Sequence, residues 1–116
     1  MANIDAAVAF PFGDCEVVTM TATGAQALTI KDRFTIVDGV TTEATGNRTI
    51  NLTIDSEVLV GAAILVQSKS NGTETLTFGT GITGPVSTGV AGKTIDQLFV
   101  YNGTAFVAAG AEVQID

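Results

Sequence analysis

The sequence predicts an all-β domain, either an antiparallel β-sandwich or a barrel-like domain, preceded by an N-terminal arm. Val, Ile and Thr make up 40 of the 116 residues, and these β-branched types pack well on pleated sheets. Apolar and polar residues alternate over several segments of strand length. Asparagine and glycine turn signals separate these segments. We divide the chain into an arm over residues 1–15 and a single β domain over residues 16–116.

The predicted arm contains four large apolar side chains set among alanines, with the helix- and strand-breaking residues Pro11 and Gly13 near its end. These side chains are Ile4, Val8, Phe10 and Phe12. The pattern fits an edge strand, a short helix or an extended arm. Burial of each such side chain contributes about 1.5–3 kcal/mol, so we expect the arm to dock on its own domain or on a partner.

Two segments carry the clearest strand signals in the β domain. In residues 48–54 the aliphatic Ile50, Leu52 and Ile54 alternate with polar residues, which predicts a strand with one buried face. Residues 62–66 are apolar at every position, which predicts a strand covered on both faces at the centre of the core.

Turn signals predict where these strands are joined. Asn102–Gly103 favours a tight hairpin that places Phe99 opposite Phe106. Asp38–Gly39 and residues 70–72 are further turn signals of this kind. Residues 79–92 contain five glycines and a proline, so we expect a long surface loop there, of the kind that often serves function or assembly.

Composition excludes several classes of function. The chain has no His, no Trp and one Cys, which removes His-based triads, disulfide frameworks and Cys/His zinc sites. Cys15 has no basic neighbour to lower its pKa and is expected to be a buried, inert thiol. Five basic against twelve acidic residues argue against binding to nucleic acid or to an anionic membrane. No spanning stretch or signal peptide is visible, so we expect synthesis in the cytoplasm.

Three short motifs resemble nucleotide-binding or catalytic motifs but lack the surrounding sequence that such sites require. Residues 79–84 read GxGxxG, but Pro85 and Gly89 follow where a Rossmann helix is needed. Residues 92–94 read GKT, but Ser87 stands where a phosphate-binding loop needs its first glycine. The carboxylate pair Asp55 and Glu57 is interpreted as a polar turn, with weak cation binding or glycosidase-like acid/base catalysis in a pocket as the alternatives. We therefore predict no catalytic residue, metal or cofactor.

The second half of the chain resembles the small β-modules of tailed-bacteriophage virions, namely capsid decoration (auxiliary) proteins and head-fibre or tail-fibre modules. The segments that carry the resemblance are GTETLTFGTG at 72–81, GKTI at 92–95 and FVYNGTAFV at 99–107. The resemblance implies a non-enzymatic structural protein on the capsid surface of the virion, bound to the major capsid protein or another virion protein. It also implies a homo-oligomer.

A different class of function remains as the alternative, a carbohydrate- or receptor-binding module of a trimeric phage fibre. Sugar sites favour aromatic platforms, whereas Tyr101 is the only tyrosine and Trp is absent. In the decoration hypothesis the contacts with capsid or subunit come from the arm and the glycine-rich segment. The candidate residues are Ile4, Val8, Phe10, Phe12, Ile82, Pro85, Val86 and Val90.

Overall fold

The computed structural model describes residues 15–116, and this part of the chain forms eleven strands and no helix. The prediction of an all-β fold is therefore confirmed. The arm residues Ile4, Val8, Phe10 and Phe12 lie outside the described residues. The strands are β1 (Cys15–Thr19), β2 (Gly24–Ile30), β3 (Phe34–Ala44), β4 (Arg48–Ile54), β5 (Ala63–Ser70), β6 (Thr75–Phe78), β7 (Ile82–Thr83), β8 (Ser87–Thr88), β9 (Thr94–Tyr101), β10 (Phe106–Ala108) and β11 (Val113–Gln114).

The strands form two sheets. One has seven strands in the order β1-β3-β5-β9-β10-β7, with β11 also paired to β9, and the other has four in the order β2-β4-β6-β8. From β1 to β6 the chain alternates between the sheets, so it winds through three turns of a coil. Strands of successive turns run parallel, β1 to β3 to β5 in one sheet and β2 to β4 to β6 in the other.

The expectation of antiparallel pairing is wrong for the coil itself. Five pairings between the described strands are parallel and four are antiparallel. The antiparallel ones lie where β8 to β11 close the coil. The turn at residues 70–72 is present, but it carries the chain from β5 into the other sheet. Turn residues fix local dihedral angles and not the sheet that the next strand joins.

The core lies between the two sheets and follows the predicted period of two. On β4, Ile50 and Leu52 are buried while Thr49 and Thr53 face outward. The other sheet contributes the buried side chains of Ile64 and Val66 on β5, together with Phe99 and Phe106. The rings of Phe78 and Phe99 meet across the core with centroids 4.8 Å apart, which is a favourable tilted geometry.

The prediction of a central strand at residues 62–66 is confirmed in its position. β5 lies between β3 and β9 in the middle of the larger sheet. Its inner side chains, Ile64 and Val66, are buried, whereas Ala63 and Leu65 on the outer face are only half-buried. The second covering layer that the sequence predicts is thus incomplete within residues 15–116.

The turn predicted at Asp38–Gly39 is replaced by a continuous strand. β3 runs through both residues, and its register with β5 shifts between Gly39 and Ala44. The Asp38 carboxylate accepts hydrogen bonds from the N–H groups of Val40 and Thr41. A side chain at Gly39 would begin 2.7 Å from the Gln67 carbonyl oxygen and 3.0 Å from Arg48 Nη2. The glycine therefore permits a close approach and does not mark a turn.

The hairpin at Asn102–Gly103 exists, but its register differs from the prediction. Phe106 lies opposite Tyr101, not Phe99. The Asn102 side-chain oxygen accepts hydrogen bonds from the N–H groups of Thr104 and Ala105, and Gly103 adopts φ +99°. Asn102 is therefore the residue before the two central residues of the turn. The centre of the turn lies one residue later in the chain than the sequence predicts. Phe99 and Phe106 remain on the same face and are both fully buried.

Residues 79–92 form a connection that is irregular over most of its length, as their glycines predict, but it includes two short paired strands. They contain β7, which pairs with β10, and β8, which pairs with β6. Gly81 adopts φ +78°, and a Cβ there would lie 2.8 Å from the carbonyl oxygen of Leu52. The segment passes from one sheet to the other and closes the end of the coil.

Arg48 is the largest fully buried side chain of the described residues. Its guanidinium donates hydrogen bonds to five oxygens: the carbonyls of Thr21, Gly39, Thr42 and Lys69, and the Ser68 hydroxyl, at 2.9–3.3 Å. Burial lowers the pKa of Arg48, and the charge of Asp38 opposes this shift. An arginine stays protonated in proteins, so a buried charge is held mainly by backbone carbonyls.

We expect the substitution Arg48→Met to lower the free energy of unfolding by about 3 kcal/mol or more, because it leaves buried acceptors without donors. The apolar stem is retained, so the loss measures the guanidinium. Urea denaturation followed by circular dichroism gives the value.

Lys31→Met is the matched control, since it removes the same charge from an exposed side chain. We expect it to change stability by less than about 0.5 kcal/mol. Equal stabilities of the two variants would contradict a structural role for the buried guanidinium.

Candidate functional site

Two connections at one end of the coil enclose a cleft of about 350 Å³. The β2–β3 connection contributes Lys31, Asp32 and Arg33, and the β4–β5 connection contributes Glu57 and the apolar segment that follows it. In that segment Leu59 and Val60 are 70% and 71% exposed. The cleft thus combines both signs of charge with an exposed aliphatic rim.

The carboxylates of Asp55 and Glu57 are not both directed at this cleft. Glu57 lines it and Asp55 does not. The Asp55 carboxylate accepts a hydrogen bond of 2.9 Å from the Glu57 N–H, and the Val58 N–H donates to the Asp55 carbonyl at 3.1 Å. Asp55 therefore stabilises the turn that enters the cleft, as the polar-turn interpretation predicts. Within residues 15–116, no three carboxylates or thiols lie close enough together to hold a metal ion.

A pair of carboxyl groups, Glu16 and Asp32, lies near the start of the larger sheet. A hydrogen bond with Glu16, then burial, then the negative charge of Glu16 raise the pKa of Asp32, and Lys31 opposes them. Glu16 is on the inner side of β1, opposite the fully buried Thr35. Ionisation of both carboxyl groups is therefore costly in the folded protein.

The outer side of the seven-stranded sheet is apolar over two rows, which we call the outer apolar face. One row consists of directly opposed residues on four neighbouring strands: Val17, Ile36, Leu65 and Leu98. The next row contains Cys15, Phe34, Ala63, Val100 and Val107. Val17 is 59% exposed and Leu98 is 41% exposed. No side chain of the two rows is charged.

The outer side of the four-stranded sheet has the opposite character, and we call it the threonine face. Thr49, Asn51 and Thr53 on β4 face outward, with Ala25, Ala27 and Thr29 beside them on β2. This is the alternation of apolar-in and polar-out residues that a solvated sheet shows. The same chain therefore has one outer face suited to water and one that is not.

The candidate contact residues of the glycine-rich segment divide into two groups. Ile82 is 2% exposed and belongs to the core, so its assignment as a surface contact is wrong. Val86 and Val90 are 54% and 45% exposed, and Pro85 is exposed between them and β7. The other candidates, Ile4, Val8, Phe10 and Phe12, precede the described residues.

The nucleotide-like motifs have ordinary structural roles. In residues 79–84 the Gly79 N–H donates to the Ile50 carbonyl, and the Thr80 N–H donates to the Asn51 side chain. These amides are therefore not free to bind a phosphate. In residues 92–94 the Lys93 N–H donates to the Val90 carbonyl and closes a turn.

Cys15 departs from its prediction, because its thiol is exposed rather than buried. It begins β1, an edge strand of the larger sheet, and belongs to the outer apolar face.

Sequence reasoning missed the outer apolar face, although part of its signal is present. Residues 34–37 and 98–101 are apolar or β-branched at every position, like residues 62–66. Such runs predict strands with two covered faces. The pairing that aligns them into rows cannot be read from the runs alone.

No family model, curated protein or solved structure matches the chain. In the described part of the chain, no helix could cross a membrane.

The carboxyl pair predicts a stability effect that depends on pH. Because the pKa of Asp32 is raised from 3.8 on folding, its favourable contribution is complete below pH 3.8 and is lost as pH rises through the folded value. We therefore expect Asp32→Asn to raise the melting temperature at pH 7, by less than about 4 °C because both carboxyl groups are only half-buried and solvent screens their repulsion. The gain should vanish near pH 3, where both proteins are uncharged at this position.

Asp38→Asn is the control of opposite sign. Hydrogen bonds from Thr41 and Val40 lower the pKa of Asp38, so its contribution is present above the unfolded pKa and is lost as pH falls. This variant should be less stable than the wild type at pH 7. A gain from Asp32→Asn that persists at pH 3 would show that charge is not its cause.

Proposed function

We propose that the protein is a non-enzymatic structural component of a bacteriophage virion and binds the capsid surface as a decoration protein. In this proposal the chain forms a β-sandwich, since two sheets face each other across one core. Its partner is the major capsid protein or another virion protein, and the chain self-associates. No cofactor takes part.

The observation that carries the proposal is an exposed apolar segment held rigidly by the fold. Val86 and Val90 flank β8, which is paired to β6, and neighbouring β7 is paired to β10. Because paired strands limit motion on both sides, docking of these side chains costs little conformational entropy. An exposed apolar element on a rigid scaffold is typical of protein-binding surfaces.

The charge of the chain is consistent with this role. A formal charge of −7 disfavours binding to the packaged nucleic acid. The protein shell is then the remaining partner in the virion. Many weak contacts repeated over a lattice give avidity without a large interface for each copy. The resemblance of roughly residues 60–108 to phage virion modules is what names a phage capsid as the shell in this proposal.

The first test is co-sedimentation of the purified protein with capsids of the phage that encodes it. We expect saturable binding, and at least tenfold weaker binding for Val86→Asp/Val90→Asp, since a tenfold change corresponds to about 1.4 kcal/mol. This is less than the burial of two valines contributes.

Leu59→Asp/Val60→Asp is the matched control, because it adds the same charges to two exposed aliphatic residues of the end cleft. We expect it to bind capsids like the wild type. Equal losses for the two variants would contradict a specific contact at Val86 and Val90. Binding to host glycans by a trimer that ignores capsids would favour the fibre module instead.

The arm is tested separately by deletion of residues 2–12. We expect this variant to keep the circular dichroism spectrum of the β domain and to lose capsid binding. A deletion variant that still decorates capsids would remove the arm from the proposal.

A further inference from the structure

The outer apolar face is too apolar to be the solvated side of a sheet. The threonine face of the same molecule provides the comparison, because both are outer sides of twisted sheets that share one core. Along β4 the outward residues are Thr49, Asn51 and Thr53. Across the larger sheet the outward residues are Ile36, Leu65 and Leu98. The outer apolar face therefore gains free energy if a further protein layer covers it.

The dimensions of the face fit the centre of a protein interface. Its rows cross five strands, which at about 4.8 Å per strand gives about 19 Å, and the two rows lie about 7 Å apart. With half a strand spacing added at each end of the rows and half a row spacing added on each side, the apolar area is about 300 Å². A standard protein interface buries about 800 Å² per partner. An apolar centre of this size with a polar rim matches the usual anatomy of such an interface.

The pattern of charge beside the outer apolar face favours a second copy of this chain as the covering layer. The next row along the strands is acidic and polar, with Thr19, Asp38, Gln67 and Asp96 in register. The Gln67 amide donates to Asp96 at 3.2 Å. A twofold axis that runs along the rows overlays the apolar rows of two copies and places their two acidic rows at opposite ends. The repulsion between these rows is thereby minimised.

The shape of the face points to the same occupant. Packed sheets align at about −30° because each has the same twist, and a copy of this sheet has that twist by identity. The two rows carry no charged group that would select a different partner. A face that complements itself is the requirement for a twofold dimer.

We propose that the outer apolar face is the interface with a second copy of this chain, in a twofold dimer with the two larger sheets packed face to face. This inference assigns a surface to the self-association in the proposed function, but it does not rest on the capsid as the partner. If the protein also binds capsids, the dimer presents two copies of the Val86 and Val90 surface.

The test is the mass of the full chain in solution by light scattering, as a function of protein and salt concentration. We expect twice the chain mass of 11.8 kDa. Salt should tighten the dimer, because it screens the charge of −7 on each copy while the apolar contact is unaffected. A monomer at all concentrations, or a trimer, would overturn the proposal.

The decisive variant is Leu98→Lys, with Thr53→Lys on the threonine face as the matched control. Each changes the charge of a copy from −7 to −6, so neither adds repulsion between acidic copies. We expect Leu98→Lys to weaken the dimer at least tenfold and Thr53→Lys to leave it unchanged. Val17→Lys, at the other end of the same row, is expected to repeat the effect if Leu98→Lys does not fold.

Two outcomes distinguish other occupants of the face. Dimers that survive both Leu98→Lys and Val17→Lys would place the interface elsewhere and overturn the proposal. A wild-type monomer that dimerises only after deletion of residues 2–12 would show that the chain's own N-terminal segment covers the face. Failure of capsid binding leaves the dimer intact and refutes the proposed function alone.

Discussion

The buried guanidinium of Arg48 is the constraint on which the coil depends. Its acceptors come from every turn: Thr21 from the first, Gly39 and Thr42 from the second, and Ser68 and Lys69 from the third. Hydrogen bonds within a sheet join neighbouring strands, but this one side chain joins three successive turns across both sheets. Its removal leaves several buried carbonyl oxygens unpaired at once, which is more costly than the loss of a single hydrogen bond.

The same side chain accounts for the irregular part of β3. The space that a Cβ at Gly39 would occupy is filled by Arg48 Nη2 and the Met20 methyl group. After Gly39 the register with β5 shifts, and the Thr42 carbonyl becomes available to the guanidinium. Asp38 holds the start of this irregular segment through its bonds to Val40 and Thr41. The Asp38–Gly39 segment, which the sequence predicts to be a turn, is therefore part of a strand whose register shift makes room for the Arg48 guanidinium.

The sequence predicts well which side chains of a strand face the core, but it predicts poorly which strands pair with each other. The reason is physical. Side-chain alternation is local, so the inward Ile50 and Leu52 and the central position of residues 62–66 are predictable. Parallel pairing joins residues far apart in the chain, such as Cys15 with Phe34 and Arg48 with Leu76. No local signal encodes those distances. The predicted hairpin register is wrong by a smaller margin: the turn begins one residue later, where the Asn102 side chain accepts hydrogen bonds from the N–H groups of Thr104 and Ala105.

The same limit applies to the candidate surfaces. Exposure of Val86 and Val90 follows from their glycine-rich surroundings, while the burial of Ile82 depends on β7 joining a sheet formed by distant strands. The outer apolar face is even harder to predict from the sequence. Val17, Ile36, Leu65 and Leu98 come from four segments of the chain and form one row only because the registers of three strand pairs agree.

The edge of the larger sheet explains why association should use the face rather than the edge. Among the described strands, β1 is the edge strand at one end of the larger sheet and the two-residue β7 is at the other end, and the Glu16 side chain of β1 faces inward, opposite Thr35. A strand added along β1 would enclose this carboxylate, which already raises the pKa of Asp32 beside it. Inward charges of this kind protect open edges from pairing. With pairing along β1 disfavoured and the threonine face polar, the uncharged rows from Val17 to Leu98 are the surface where burial gains free energy without enclosing a charge.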